Sequence, residues 1–277
     1  MRIGVRAHDF GRHHPQRIAQ ILTGAGYNAA QIVMPKVFEG IENYRDITTE
    51  QLEEIREVFS QTDLQISVLG CYMDLSSQNE QTRMEAVENV RRCLRYAKIL
   101  GAVAVASETS YAHLTEMEKS ARRPIMLESI REIICCAEEE GVDFAIEPVE
   151  WHPLDSIAQV ENVLDAVNYS ERLKVLFDAA NVITPQEIGK QDAVWLAWLN
   201  AFGDRIIALH VKDFVWDENG AYSPKVLGEG LMDYSVISRW LQNGHAALPL
   251  LREETIHEYA EDDLRFLRRM VMAGEVG

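Results

Sequence analysis

The feature that most restricts the fold is a unit repeated along the chain, in which a short apolar run ends in a residue able to bind a metal and a helix-patterned stretch follows. It is plainest in Gly141-Val-Asp-Phe-Ala-Ile-Glu-Pro148, Lys174-Val-Leu-Phe-Asp178, Ile206-Ile-Ala-Leu-His210 and Leu250-Leu-Arg-Glu-Glu254. Successive runs lie roughly 30 residues or a little more apart, the length of a strand, its crossover helix and two loops. Glu147, Asp178, His210 and Glu253 or Glu254 therefore arrive one per βα unit at the same end of their strands, where parallel α/β folds keep their chemistry.

The rest of the chain follows the same grammar. Strands are expected near residues 3–7, 29–34, 64–69, 102–106, 142–147, 173–178, 205–211 and 248–252. Helices are expected near 15–25, from Thr48 or Thr49 onward, and near 79–100, 116–140, 155–167, 187–202, 233–243 and 258–273, with a break near Pro124. Strict alternation calls for a parallel sheet with right-handed crossovers. Eight units close most naturally into a (β/α)8 TIM barrel, a single domain over residues 1–277, with an open doubly wound sheet as the alternative. The segment from Asp213 to Met232 reads as one long irregular connection on the βα side, with Asp233 as the cap of the next helix.

With 47% of its 277 residues hydrophobic, the chain can bury a large core. No apolar run approaches the roughly 18 residues that a membrane span requires, and the charged start is not a signal peptide, so a soluble, cytoplasmic protein is expected. A net charge of −17 repels phosphate backbones and argues against nucleic acid as a partner. Cys71, Cys93, Cys135 and Cys136 form no Cys-x-x-Cys pair and read as scattered small hydrophobes.

Each polar strand end has a plain structural reading. Glu147 could sit in a buried salt bridge, Asp178 could cap the turn before Asn181, and His210 could be a satisfied core histidine. Together they read differently, because three carboxylates and an imidazole at one barrel mouth repel one another without a cation. Oxygen and imidazole donors without a thiolate favour Mn²⁺ or Mg²⁺ over Co²⁺ or Zn²⁺. On the last strand Glu253 is preferred to Glu254, because strand alternation puts it on the face of Leu251, whereas Glu254 shares a face with Arg252. His8, Glu108, His152, Asn181 and Lys212 are the candidate substrate contacts, with Glu150 and Asp213 as further polar groups. Trp151 and Trp216, both on βα loops, could cover a sugar face. The Gly-rich dinucleotide turn, the Walker loop and the Gly-x-Ser-x-Gly elbow are all missing.

The stretches Met1-Arg-Ile-Gly-Val-Arg-Ala-His-Asp9, Ala145-Ile-Glu-Pro148, Phe177-Asp-Ala-Ala-Asn181, Leu209-His-Val-Lys-Asp213 and Gly228-Glu-Gly-Leu-Met-Asp233 together resemble the xylose isomerase-like superfamily, the sugar phosphate isomerase/epimerase group. The resemblance implies a (β/α)8 barrel and a divalent metal held by Glu147, Asp178, His210 and a glutamate of the last strand. It further implies that Glu147 and that last glutamate, Glu253 here, act as proton-transfer groups on a small carbohydrate. Ketose 3-epimerases of the group carry a histidine and an arginine where this chain has Asn181 and Trp216, so the resemblance does not extend to that motif.

Three functions follow. The first is isomerisation or epimerisation of a sugar, sugar phosphate or cyclitol by proton transfer beside a carbonyl. The second is a lyase of the inosose dehydratase kind, which expels a hydroxyl from the same enediolate, and the third is a non-catalytic sugar-binding barrel. No nucleic-acid or membrane partner is expected, and a homo-oligomer is left open.

Overall fold

Strand pairing closes the repeated unit on itself. A computed structural model describes residues 1–218 and 220–272. Its barrel strands are β1 (Ile3–Arg6), β2 (Ala29–Ile32), β3 (Gln65–Gly70), β4 (Ala104–Ser107), β5 (Asp143–Ile146), β6 (Leu173–Asp178), β7 (Ile206–Val211) and β10 (Leu250–Arg252). All neighbours are parallel, in the closed order β1-β10-β7-β6-β5-β4-β3-β2. The open doubly wound alternative is thereby excluded.

Alternation along the strands divides the core into two layers. Ala29, Val68, Ala106, Ala145, Leu176, Ala208 and Leu251 fill the barrel interior. Residues of opposite parity, among them Val5, Ala30, Leu69, Val105, Phe144, Phe177, Leu209 and Leu250, pack outward against the helices. Full burial of one such aliphatic or aromatic side chain stabilises by roughly 1.5–3 kcal/mol, so the outer layer carries most of the stability. The interior positions continue upward into Gln31, Glu108, Glu147, Asp178, His210 and Glu253, which is how one parity rule delivers polar groups to one mouth.

The surrounding helices are α1 (Pro15–Gly24), the short α2 (Met34–Val37), α3 (Thr49–Ser60), α4 (Glu80–Leu100), α5 (Glu116–Glu140), α6 (Ile157–Ala166), α7 (Gln191–Phe202), α8 (Ser235–Trp240) and α9 (Ala260–Val271). Local chemistry explains several ends. Thr48 with Gln51 and Thr115 with Glu118 form capping boxes at α3 and α5. The expected break at Pro124 does not occur: α5 runs through it. Pro124 and Ser120, whose carbonyl loses its helical partner, both lie on the exposed side, where water can replace the missing bond. Position 273, expected at the end of the last helix, lies outside the described residues.

The connection expected to be irregular contains an antiparallel hairpin, β8 (Asp213–Trp216) with β9 (Tyr222–Lys225). The cap expected at Asp233 falls one residue later: the N-cap of α8 is Tyr234, which makes no side-chain cap bond, and Asp233, two residues before the first helical residue, accepts a hydrogen bond from the Ser235 N–H at 2.8 Å. Cys71, Cys93 and Cys136 are buried and Cys135 is exposed, all as free thiols. Among the described residues no helix is long and apolar enough to cross a membrane.

Candidate active site

A cavity of about 690 Å³ opens at the carboxyl ends of the strands. At its floor Asp178 of β6 stands in register with His210 of β7, and Leu251 of β10 pairs with His210 on the other side. Glu147 follows β5 and Glu253 follows β10, so the side chains come from four strands that are consecutive around the barrel. One ligand atom each from Glu147, Asp178 and His210 lie within 4.8 Å of one another, and all three residues are buried.

The two oxygens of Asp178 have different tasks. Oδ1 accepts from the N–H groups of Ala180 at 2.8 Å and Asn181 at 3.3 Å, capping the turn that follows. Oδ2 is left toward the cluster, where it has no aligned hydrogen bond although Lys212 Nζ lies 2.9 Å away. The capping and ligand readings of this residue are therefore both compatible with its geometry. Glu147 is similarly divided: Oε1 accepts from Asn181 Nδ2 at 2.8 Å and meets His210 Nδ1 at 3.1 Å, while Oε2 is buried without a partner.

Glu253 turns its carboxylate to the cluster, 3.5 Å from His210 Nδ1, 3.2 Å from Lys212 Nζ and 3.6 Å from Arg6 Nη1. Glu254 faces the hairpin instead, accepting from the Tyr222 hydroxyl. Its φ of +57° is in the left-handed region that non-glycine residues seldom occupy, a local strain that separates the two adjacent carboxylates.

Charges inside this buried cluster shape each other. Burial would lower the His210 imidazole, but Glu253 and Glu147 outweigh it and raise it to about 9. Burial raises Asp178 to about 6 against the opposing pull of Lys212. For Glu253 burial pushes upward, yet His210, Lys212 and Arg6 hold the carboxyl far below the usual range. Burial also opposes the charge of Lys212, and Asp178 and Glu253 more than compensate.

Two buried carboxylate oxygens without an aligned hydrogen bond, beside an imidazole nitrogen, fit a divalent cation, and the donor set suits a hard ion such as Mn²⁺ or Mg²⁺. Lys212 is the complication, because its ammonium already sits against Asp178 Oδ2 and Glu253 Oε2.

Of the expected substrate contacts, His8, Glu108, Asn181 and Lys212 line the cavity, as does Glu150. His152 does not line it. The ring is 2% exposed, with Nδ1 3.8 Å from Glu108 Oε2, behind the cavity wall. Asp213 is also withdrawn: it is fully buried and accepts four backbone N–H groups, from Phe214, Gly228, Gly230 and Met232, at 2.8–3.0 Å. It fastens the loop and faces no substrate space. Gly230 is required there, since an added Cβ would lie 2.1 Å from Asp213 Oδ1.

Sequence reasoning missed Gln31, Arg6 and Tyr72. Gln31 Oε1 lies 2.7 Å from His210 Nε2, and Gln31 Nε2 donates to the Tyr72 hydroxyl at 2.5 Å. A bare Cβ on Gly70 would meet the Tyr72 ring at 2.7 Å, so that glycine makes room for the ring over the barrel. The available signals were a glutamine inside the buried run Ala29-Ala-Gln-Ile32 and an arginine at the end of the first strand.

Solved structures share this architecture. The 3-keto-D-glucoside 4-epimerase of E. coli superposes with a TM-score of 0.73 at 14% identity, covering 97% of this chain and 99% of its own. A D-psicose 3-epimerase from Clostridium cellulolyticum, solved with D-tagatose, gives 0.74 at 17% identity over 98% and 99%. A xylose isomerase-like TIM barrel protein from Mycobacterium smegmatis, in complex with magnesium, gives 0.71 at 18% identity over 97% and 96%. At these identities the likeness is one of fold, and their activities are their own. No curated protein matches the chain by sequence. Residues 20–270 match the model of the xylose isomerase-like TIM barrel, and the chain belongs to that family.

Proposed function

We propose that the protein is a metal-dependent carbohydrate isomerase or epimerase that moves a proton at a carbon beside a carbonyl. The observation that carries this reading is the pair Glu147 and Glu253, which approach one imidazole nitrogen, His210 Nδ1, to 3.1 and 3.5 Å from strands on either side of β6 and β7. Two carboxylates placed around one centre allow a proton to be removed on one face and returned on the other, as epimerisation requires, while isomerisation needs only one of them. Glu147, Asp178 and His210 would hold the ion, with Glu253 completing the set. The chemistry a bound divalent ion supplies in such a site is positive charge beside the substrate's carbonyl and hydroxyl oxygens, which lowers the cost of the charge that develops when the C–H bond breaks.

The chain's own groups do the rest. Against the cost of burial, Lys212 and Arg6 favour the ionised form of Glu253, as a base must be, whereas a metal-bound His210 is neutral and adds nothing to this. Asn181 bridges Lys212 Nζ at 2.9 Å and Glu147 at 2.8 Å, holding the two sides of the site in register. Tyr72 and Glu108 wall the cavity toward β3 and β4.

A second reading, a dehydrating lyase, draws on Glu108. Burial, with Glu147 and Glu253 nearby, raises its carboxyl to about 8, so a protonated acid faces the cavity and could donate to a departing hydroxyl. The test is to incubate the Mn²⁺-loaded protein in D₂O with a panel of ketoses, 3-keto sugars and inososes. Proton-transfer chemistry places deuterium at the carbon beside the carbonyl, by NMR, and Glu147→Gln and Glu253→Gln abolish it. Loss of water from the product, by mass spectrometry, selects the lyase. Neither exchange nor dehydration in protein that holds its metal would sink both.

A further inference from the structure

The polar cluster occupies only the floor of the cavity, and the outer part is walled by aromatic rings with no role there. In the hairpin Trp216 pairs with Tyr222 and Phe214 with Pro224, so Phe214, Trp216 and Tyr222 share one face of the ribbon. All three line the cavity. Phe214 stacks on Tyr222 with centroids 4.9 Å apart and meets Trp216 edge-on at 4.7 Å. The loops after β4 and β5 contribute Tyr111, His113 and Trp151 to the same cavity. His113 and Trp151 stack at 4.7 Å with their planes 16° apart.

These rings are held in place. A lone two-stranded ribbon is marginal in water, but this one is fastened by the four N–H bonds to Asp213, by Arg252 Nη2 donating to the Lys225 carbonyl at 2.9 Å, and by Tyr222 donating to Glu254. Tyr111 donates its hydroxyl to the Tyr72 carbonyl at 2.8 Å while its residue surface stays 65% exposed. Tyr111 and Tyr222 are exposed and Trp151 and Trp216 half-buried while lining the cavity, aromatic surface that core packing would have covered and that is therefore a binding feature.

Size points the same way. A cavity of about 690 Å³ is of the size that holds a drug-sized ligand, more than a single hexose ring fills. We infer that the outer cavity is a subsite for a second ring: the substrate is a keto sugar carried as a glycoside, its reacting ring, whose ring ketone supplies the carbonyl that the acetal carbon no longer offers, at the floor and its substituent, a further sugar or an aromatic aglycone, against Trp151 and Trp216. The inference rests on the proton-transfer reading for what happens at the floor.

Calorimetric titration of the Mn²⁺-loaded protein with D-glucose, methyl β-D-glucopyranoside, phenyl β-D-glucopyranoside and cellobiose tests this. The last two are expected to bind at least tenfold tighter than the first two, and the ratio between them identifies which substituent the subsite prefers. Trp151→Ala and Trp216→Ala should each remove most of that gain while leaving the affinity for methyl glucoside within twofold. Trp216→Phe, with an intermediate loss, serves if the alanine variant unfolds. Equal affinity for methyl, phenyl and glucosyl glucosides, no measurable binding of any of them, or a Trp effect equally large on methyl glucoside overturns the subsite. The two readings fail separately. Glycoside binding that depends on the tryptophans, without any deuterium exchange, leaves the subsite and removes the reaction; exchange on free ketoses without a glycoside preference does the reverse.

Discussion

His210 Nε2 lies 2.7 Å from Gln31 Oε1, a contact made across the barrel between β7 and β2. It leaves Nδ1 directed at Glu147 and Glu253. The partner of a ligand histidine's second nitrogen sets the orientation of the ring.

Gln31→Leu should therefore weaken Mn²⁺ binding by about 10- to 100-fold without unfolding the protein, as such supporting contacts do elsewhere. Calorimetric titration with Mn²⁺, alongside circular dichroism, checks it. Unchanged affinity would mean that the barrel walls alone orient His210.

Lys212→Met should have the opposite effect on the ion. Lys212 Nζ occupies Asp178 Oδ2 at 2.9 Å and Glu253 Oε2 at 3.2 Å, so its charge repels a cation bound by the same oxygens. Removing it should tighten Mn²⁺ binding by about tenfold, a modest fraction of the repulsion between charges about 4 Å apart at a surface-like dielectric. Turnover should fall, because Asn181 loses its bridge to the β7 side. Weaker metal binding in this variant would assign Lys212 the task of assembling the carboxylates.

His152 makes stability depend on pH. Burial, with His113 and Lys119 nearby, lowers its imidazole to about 4 from the ordinary 6.5. Between those values the unfolded chain binds a proton that the folded protein refuses. Its contribution is thus fully present above about pH 6.5 and is lost as pH falls toward 4, amounting to at most about 3 kcal/mol. Urea unfolding at pH 7, 6 and 5 should show the loss, and His152→Gln should flatten it by about 1 kcal/mol per pH unit. A variant with the wild-type slope would remove the assignment.

Asp213→Ala should lower stability by about 3 kcal/mol, because it strands backbone N–H groups that a buried carboxylate now accepts. For a domain of this size that is a fall in melting temperature of about 5–10 °C. Gly230→Ala should behave alike, since its Cβ would overlap the same carboxylate and lie 2.5 Å from the Phe214 carbonyl. Thermal unfolding followed by circular dichroism decides it. An Asp213→Ala protein as stable as wild type would show that water replaces the lost bonds.

Much of the architecture was legible because strand and helix periodicity are local. Ala29-Ala-Gln-Ile, Asp143-Phe-Ala-Ile and Leu173-Lys-Val-Leu-Phe-Asp declare strands by composition, and glycines such as Gly101 and Gly141 mark helix ends in the left-handed conformation, with φ of +68° and +70°. The hairpin was not legible. Asp213-Phe-Val-Trp and Tyr222-Ser-Pro-Lys are short and carry a proline, and they hold together through Asp213 and Arg252, whose partners lie 11 to 27 residues away.

The sequence by itself determined the eight strand–helix units and the arrival of Glu147, Asp178, His210 and Glu253 at the same end of their strands, because a period of two along each strand and one helix per strand leave those residues no other face, whereas closure of the sheet, which rules out the open alternative, came from strand pairing. Tertiary structure alone decided that Gln31 meets His210, that Lys212 stands among the carboxylates, that His152 is shut behind Glu108, and that the hairpin turns its rings toward the cavity. Each of these depends on which side chains from distant strands come within hydrogen-bonding or stacking distance, and periodicity fixes the direction of a side chain but not the neighbour it meets.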